Sequence, residues 1–171
     1  QLAVKNLNYP DPKGSSRTFS ICSSPSNQKT ISVVFRETGS GFKKTLSELP
    51  IGEDVLIEGP LGFFSLPDIP DSHHIFVAGG IGIAPFISMI KQAISVGSSL
   101  HIDLVYANRD ENSVAFLEEL QELCKKSNVF SMDLIYGRIE QKHLVNCINK
   151  KIPNLHLSLI HISEPTRLAW I

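Results

Sequence analysis

The run Phe76-Val77-Ala78-Gly79-Gly80-Ile81-Gly82-Ile83-Ala84-Pro85 holds the residues best suited to receiving an anion. The apolar stretch 75–78 feeds a glycine cluster, and Pro85 opens a second apolar run, 86–90, with helical spacing. That order reads as strand, tight turn, helix. Glycine reaches positive φ and lets a ligand approach the backbone closely. Proline suits the first helical turn, where its missing N–H costs nothing. A helix start presents unpaired N–H groups and a positive dipole end to an anion such as a dinucleotide pyrophosphate.

Two more segments carry usable chemistry. In Arg17-Thr18-Phe19-Ser20 the guanidinium can fork a phosphate, the aromatic can stack on a planar ring, and the serine hydroxyl can donate to a ring nitrogen. The same residues also fit an edge strand with an exposed arginine and a core phenylalanine. The turn Gly59-Pro60-Leu61-Gly62-Phe63-Phe64 is either a plain β-turn with an apolar exit or a ligand contact. His73 and His74 are adjacent in a strand and so point to opposite faces, which argues against a shared metal. His101, His143, His156 and His161 lack ligand spacing, and Cys22, Cys124 and Cys147 form no CxxC pair, so no metal site is expected.

The elements that must position these residues fall into two groups. Residues 1–70 read as all-β, with strands at 2–7, 17–22, 30–37 and 54–59 separated by Pro/Gly/Ser/Asn clusters, and a short helix at 41–49. This spacing predicts a small antiparallel barrel. After Pro67-Asp68-Ile69-Pro70-Asp71 the period changes. Strands at 74–78, 100–106 and 132–136 alternate with helices at 85–96, 113–126 and 141–149, which predicts a doubly wound parallel sheet. Asp110 and Asn112 are placed to cap the helix that starts near Ser113. The expected division is 1–68, 69–156 and a separate tail, 157–171.

Composition narrows the partners. The chain has 171 residues, 42% of them hydrophobic and 19% charged, with a net charge of −1. That balance implies neither a nucleic acid nor a membrane surface as partner. The longest uncharged run, 75–90, contains three glycines and a proline and is shorter than the roughly 20 residues a membrane span needs. The sparse cysteines fit a reducing, cytoplasmic setting.

Taken in order, these segments resemble the ferredoxin–NADP reductase superfamily. Arg17–Ser20 is similar to its RxYS flavin motif, the 59–64 turn to GPxGxF, and Gly79–Pro85 to the GGTGIAP nucleotide loop. Tyr106-Ala107-Asn108-Arg109 is similar to the YSNR segment, and Gly137-Arg138-Ile139 to GRI(D/N). The resemblance covers residues 1 to about 153. It implies a partial antiparallel flavin-binding β-barrel followed by the parallel-sheet nucleotide-binding domain, with FAD and NAD(P)H as cofactors. Arg17 then binds the flavin phosphate or pyrophosphate, together with Thr18 of the same motif. Phe19, in place of the usual Tyr, packs on the isoalloxazine, and Ser20 hydrogen-bonds the reactive N5 region. Ser40, Gly41, Phe42 and Lys43 sit under the diphosphate. Many relatives have Ser at the place of Lys43, and Lys43 with Lys44 reads equally as a solvated face. Gly79, Gly80, Ile81, Gly82 and Pro85 receive the nicotinamide dinucleotide, Ile81 replacing a frequent Thr. Asn108 and Arg109 reach its ribose or phosphate end. The implied activity is hydride transfer from NAD(P)H to FAD, with electrons leaving one at a time to a ferredoxin, an oxygenase component, a haem domain or ferric iron.

The ends depart from the family pattern. Gln1 resembles the Q of the family's P-G-Q-F/Y segment, so the leading barrel strands are expected to be missing. Residues 157–171 stand where a C-G-P-x-x-M segment is expected and resemble a translated sequencing-adapter read, so they are expected to be non-native. Two further readings stay open at this point: a nucleotide-binding module without flavin, and an inactive fragment of such a reductase.

Overall fold

The computed structural model describes residues 1–27, 29–67, 69–148 and 155–156. The second half is built on a parallel sheet of β4 (His73–Gly79), β5 (His101–Asn108), β6 (Phe130–Tyr136) and β7 (Leu155–His156), in the order β6-β5-β4-β7. Neighbouring strands run in register, Gly79 opposite Ala107 and Asn108 opposite Tyr136, so their carboxyl ends form one common edge. β5 is the central strand, and every residue from Ile102 to Asn108 is buried. Burial on both faces is what a strand in the middle of a parallel sheet requires.

One face of this sheet carries the main core. Phe76 and Ala78 of β4 and Ile102, Leu104 and Tyr106 of β5 pack with α2 (Ala84–Ser95) and with Leu120 of α3 (Leu117–Lys126). Alternate residues of a strand share a face, which accounts for the even numbering. In α2 the buried positions Ala84, Phe86, Ile87, Ile90 and Ala93 follow helical spacing. Pro85 stands in its first turn, and Gly97 at φ 63° ends it, with Ser98 N–H bonded to Ala93 O at 3.0 Å. The opposite face holds a smaller cluster of Ile75 and Val105, covered in part by Val77, Ile135 and Ile139.

The first half is a three-stranded antiparallel sheet, order β2-β1-β3, from β1 (Leu2–Val4), β2 (Ser16–Arg17) and β3 (Val55–Ile57). Leu2 lies opposite both Arg17 and Ile57. The sheet is antiparallel as expected, and among the described residues it stays open and forms no barrel. The 30–37 segment forms no strand beyond one bridge between Ile21 and Val33. Next to that bridge Ser23 Oγ takes the Ser32 N–H at 3.0 Å, so one donor that a longer ladder would use is already engaged. Leu56, Ile57, Leu61 and Phe63 are exposed along and beyond β3.

α1 (Gly41–Ser47) and α4 (Gln141–Ile148) lie close to their expected positions. α3 begins at Leu117 rather than 113. Asp110 instead forms a capping box with Ser113 on a single 3₁₀ turn, Glu111–Ser113, and Phe116 at φ 60° separates that turn from the helix. The tail from 157 onward lies outside the described residues. Among the described residues no helix is long and apolar enough to cross a membrane.

Ile90 is fully buried in the α2 core. Ile90→Ala is expected to lower unfolding free energy by about 2–5 kcal/mol, read by chemical denaturation.

Candidate functional site

The glycine turn takes its shape from a tyrosine. Gly79, at the end of β4, is exposed, and a Cβ built on it meets nothing within 4 Å. Gly80 follows at φ 49° and starts a 3₁₀ turn, Gly80–Ile83, that runs directly into α2. Tyr106, fully buried in β5, donates its hydroxyl to Gly80 O at 2.8 Å and accepts the Ala115 N–H at 3.2 Å. Burial pushes the phenol pKa up, so it stays a donor. The sheet edge, the glycine turn and the loop after β5 are thus tied at one atom.

Beside this tie is an open cleft of about 430 Å³, lined by Ile81 of the glycine turn, by Asp110, Asn112, Ser113 and Ala115, and by Arg36 of the first half. Arg36 donates from Nη2 to Ser113 O at 2.7 Å. Two residues beyond Tyr106 on the same strand face, Asn108 is 4% exposed, and its amide lies near the Tyr106 hydroxyl but makes no hydrogen bond of normal length among the described residues. A buried amide left without a good partner costs about 1–3 kcal/mol, and a polar group arriving at the carboxyl edge of the sheet would be able to offset that cost. Gly82 and Ile81 are buried, Pro85 is half-buried, and Arg109 and Arg138 are exposed.

Arg17 lies in a different arrangement. Its Nη1 donates to the carbonyls of Lys13, Gly14 and Ser16 at 3.0, 3.0 and 2.6 Å, and its Nη2 to Asp11 Oδ1 at 2.5 Å. The guanidinium also lies 5.1 Å from the centre of the Phe42 ring. Asp11 in turn accepts from Ser40 Oγ at 2.6 Å and from the Phe42 N–H and Lys13 N–H at 2.9 Å each. These bonds, that of Ser40 foremost, hold its carboxyl well below the usual carboxylate range. Arg17, Ser40 and the Phe42 N–H therefore already form a cradle around one anionic group. This donor set suits a phosphate.

Lys43 is buried at 4%, which corrects the solvated-face alternative. Its ammonium donates to Thr38 Oγ1 at 3.3 Å, and burial, with the nearby Arg17 and Lys13 charges, pushes its pKa down. Lys44 lies 3.9 Å over the Tyr9 ring. Phe42 is fully buried, so its ring belongs to the core and only its N–H faces the cradle. Phe19 is half-buried between Phe35 and Phe42, with ring centres 5.7 and 6.1 Å away. Thr18 is exposed and Ser20 half-buried.

The segment after Ser20 is fastened to α2. Ser88 Oγ donates to Ser23 O at 2.7 Å, and Gln92 Oε1 accepts from Ser24 Oγ, Ser26 Oγ and Ser26 N–H at 2.8, 2.7 and 3.0 Å. His73 meets Asp103 at 2.8 Å, while His74 meets Ser72 at 2.7 Å, the opposite-face arrangement expected of neighbours. Among the described residues no His/Cys/Asp/Glu group could hold a metal ion.

The family model for the oxidoreductase NAD-binding domain matches residues 76–161, half of the chain. The chain belongs to this family, within the ferredoxin–NADP reductase superfamily. It is 33% identical over 112 residues to the ferredoxin reductase component of 3-ketosteroid-9-alpha-monooxygenase from Mycobacterium tuberculosis, covering 64% of this chain and 31% of that protein. It is 34% identical over 106 residues to NADH-cytochrome b5 reductase 1 of Cryptococcus neoformans, covering 61% and 33%. The chain spans about a third of the length of these relatives. Among solved structures it is similar to phthalate dioxygenase reductase (TM-score 0.67, 25% identity, 91% of this chain and 47% of that one). It is also similar to ferredoxin-NADP+ reductase from Plasmodium falciparum (TM-score 0.64, 26% identity, 82% and 57%).

Sequence reasoning missed three members of the site: Tyr106 as the tie, Arg36 as a cleft wall, and Asp11 as the partner of Arg17. Tyr106→Phe leaves the Gly80 carbonyl and Ala115 N–H without their partner, and is expected to cost about 1–3 kcal/mol in urea unfolding. Asp11 has a folded pKa below its unfolded value, so its stabilising effect is present above the unfolded pKa and is lost as pH falls towards the folded one. As pH is lowered from about 4, the melting temperature of Asp11→Asn is therefore expected to fall less steeply than that of the wild type.

Proposed function

We propose that this chain is the flavin- and nucleotide-binding part of an NAD(P)H-dependent flavoprotein reductase. It takes hydride from NAD(P)H onto FAD and passes electrons to a ferredoxin, an oxygenase component, a haem domain or ferric iron. The observation that carries this reading is the carboxyl edge of β4 and β5. There the open surface over Gly79 and the buried Asn108 amide lie at one rim. In open α/β sheets ligands bind outside the carboxyl ends of the strands.

In this reading residues 1–68 form the flavin half and 69–156 the nucleotide half. Gly79, Gly80, Ile81, Gly82 and Pro85 present backbone to the dinucleotide, and Asn108 gives its amide to a polar group of it. Arg36 and Arg109 supply positive charge to its phosphates. Arg17, Ser40, the Phe42 N–H and Lys43 hold the flavin phosphate, with Gly41 keeping the turn free of a side chain. Thr18 and Phe19 border the ring system, and Ser20, the catalytic residue of this reading, donates a hydrogen bond near its reactive nitrogen. Bound FAD supplies the capacity to accept hydride and release single electrons. The protein aligns the two ligands, and the bonds of Ser23–Ser26 to α2 fix the flavin half against the nucleotide helix. A nucleotide-binding module without flavin is the second reading, favoured by the engagement of Arg17 with Asp11.

The purified chain, mixed with FAD and freed of excess, is expected to keep an absorption band at about 450 nm that bleaches anaerobically with NADH or NADPH, since the cofactor carries the chemistry. A colourless protein that still binds the dinucleotide supports the second reading. Gly79→Ala introduces a methyl into open space at an ordinary backbone conformation, φ −124°. Its unfolding free energy is expected to stay within about 0.5 kcal/mol of wild type. Its dinucleotide affinity is expected to drop about tenfold or more, measured by calorimetric titration.

A further inference from the structure

We propose that residues 8–11 form a strap whose Asp11 carboxylate is a tethered anion, closing the Arg17 site until a phosphate group displaces it. The inference rests on the reading of Arg17 as a phosphate-binding residue.

The strap is fixed along α1 at several points. Asn8 N–H donates to Thr45 Oγ1 at 3.0 Å, Tyr9 OH to Glu48 Oε2 at 2.7 Å, and the Lys44 ammonium covers the Tyr9 ring. Gly41 permits the closest approach, since a Cβ there would lie 2.3 Å from Pro10 O and 2.6 Å from Tyr9 O. At the end of the strap the Asp11 side chain is 4% exposed and its partner Arg17 10% exposed. Its two oxygens take the Arg17 Nη2, the Ser40 hydroxyl and the Phe42 N–H, the same donors a phosphate at Arg17 requires. Arg17, Lys13 and buried Lys43 gather positive charge near the carboxylate, and burial first, with the Arg17 and Lys13 charges behind it, pushes the Lys43 pKa down. The far end of the strap is an exposed turn in which Lys13 N–H bonds Asp11 Oδ1, Gly14 N–H bonds Asp11 O at 3.0 Å, and Gly14 has φ 76°.

A site that is open for only part of the time shows an affinity reduced by its open fraction. Removing the carboxylate charge therefore raises affinity for phosphate groups, whereas a carboxylate that served only to orient Arg17 would lower affinity when neutralised.

Inorganic pyrophosphate and FAD are each titrated by calorimetry into the wild-type chain, Asp11→Asn and Asp11→Asn/Arg17→Met. Asp11→Asn is expected to bind pyrophosphate about tenfold tighter than wild type, and the double variant to lose that gain. In the wild type, saturating pyrophosphate is expected to speed hydrogen exchange of the Lys13 amide while the Phe42 amide stays protected. This second readout does not depend on the variant folding. Asp11→Asn binding pyrophosphate no tighter than wild type, or a Lys13 amide still protected at saturation, overturns the strap. If no form takes up FAD while pyrophosphate behaves as expected, the strap stands and the flavin reading fails.

Discussion

The hydroxyl of Tyr106 holds the second half of this protein in working shape. Its ring is buried beneath the sheet edge, and its oxygen meets both the carbonyl of Gly80 and the backbone of Ala115. A glycine turn has many accessible conformations, and the entropy of confining it must be offset by a defined partner. Tyr106 is that partner, and it stands on the most buried strand. The same bond places Ala115, and with it the capped turn Asp110–Ser113. Ser113 then offers the carbonyl to which Arg36 reaches across from the first half. One side chain thereby links the glycine turn to Ala115, a residue that lines the cleft.

The two halves meet through polar as well as apolar groups. Val34 and Leu66 pack on the main core, while Gln92 and Ser88 of α2 grip the 23–26 segment. Each such bond contributes only about 0.5–1.5 kcal/mol, and its value lies in direction. Apolar surfaces can slide. A single carbonyl oxygen receiving three donors cannot do so without losing them. Directional fastening of this kind fixes how the two halves face each other more firmly than buried apolar area alone.

The parallel sheet was legible in the sequence because its signals are local. The run 75–78, the glycines and Pro85 carry strand, turn and helix within a dozen residues, and β5 and α2 follow from periodicity alone. The first half was less legible. Its strands are two or three residues long, and serine side chains compete for the backbone donors a longer ladder would use. Phe116 in a left-handed conformation delayed α3 against its apolar pattern. Asp11 with Arg17 and Arg36 with Ser113 are separated by 6 and 77 positions, and no spacing rule links them. Lys43 read equally as a phosphate contact and as a solvated face, since lysine is mostly exposed; it is buried beside Thr38.

Gly41 carries a separate lesson for reading signatures. The carbonyls of Tyr9 and Pro10 come so close to it that any side chain would force them away. Packing of the chain against itself is thus sufficient to demand glycine there, with no ligand in the account. A glycine at this point of a motif is consequently no diagnostic of cofactor use, and a database pattern that scores it as one counts a steric requirement as chemistry.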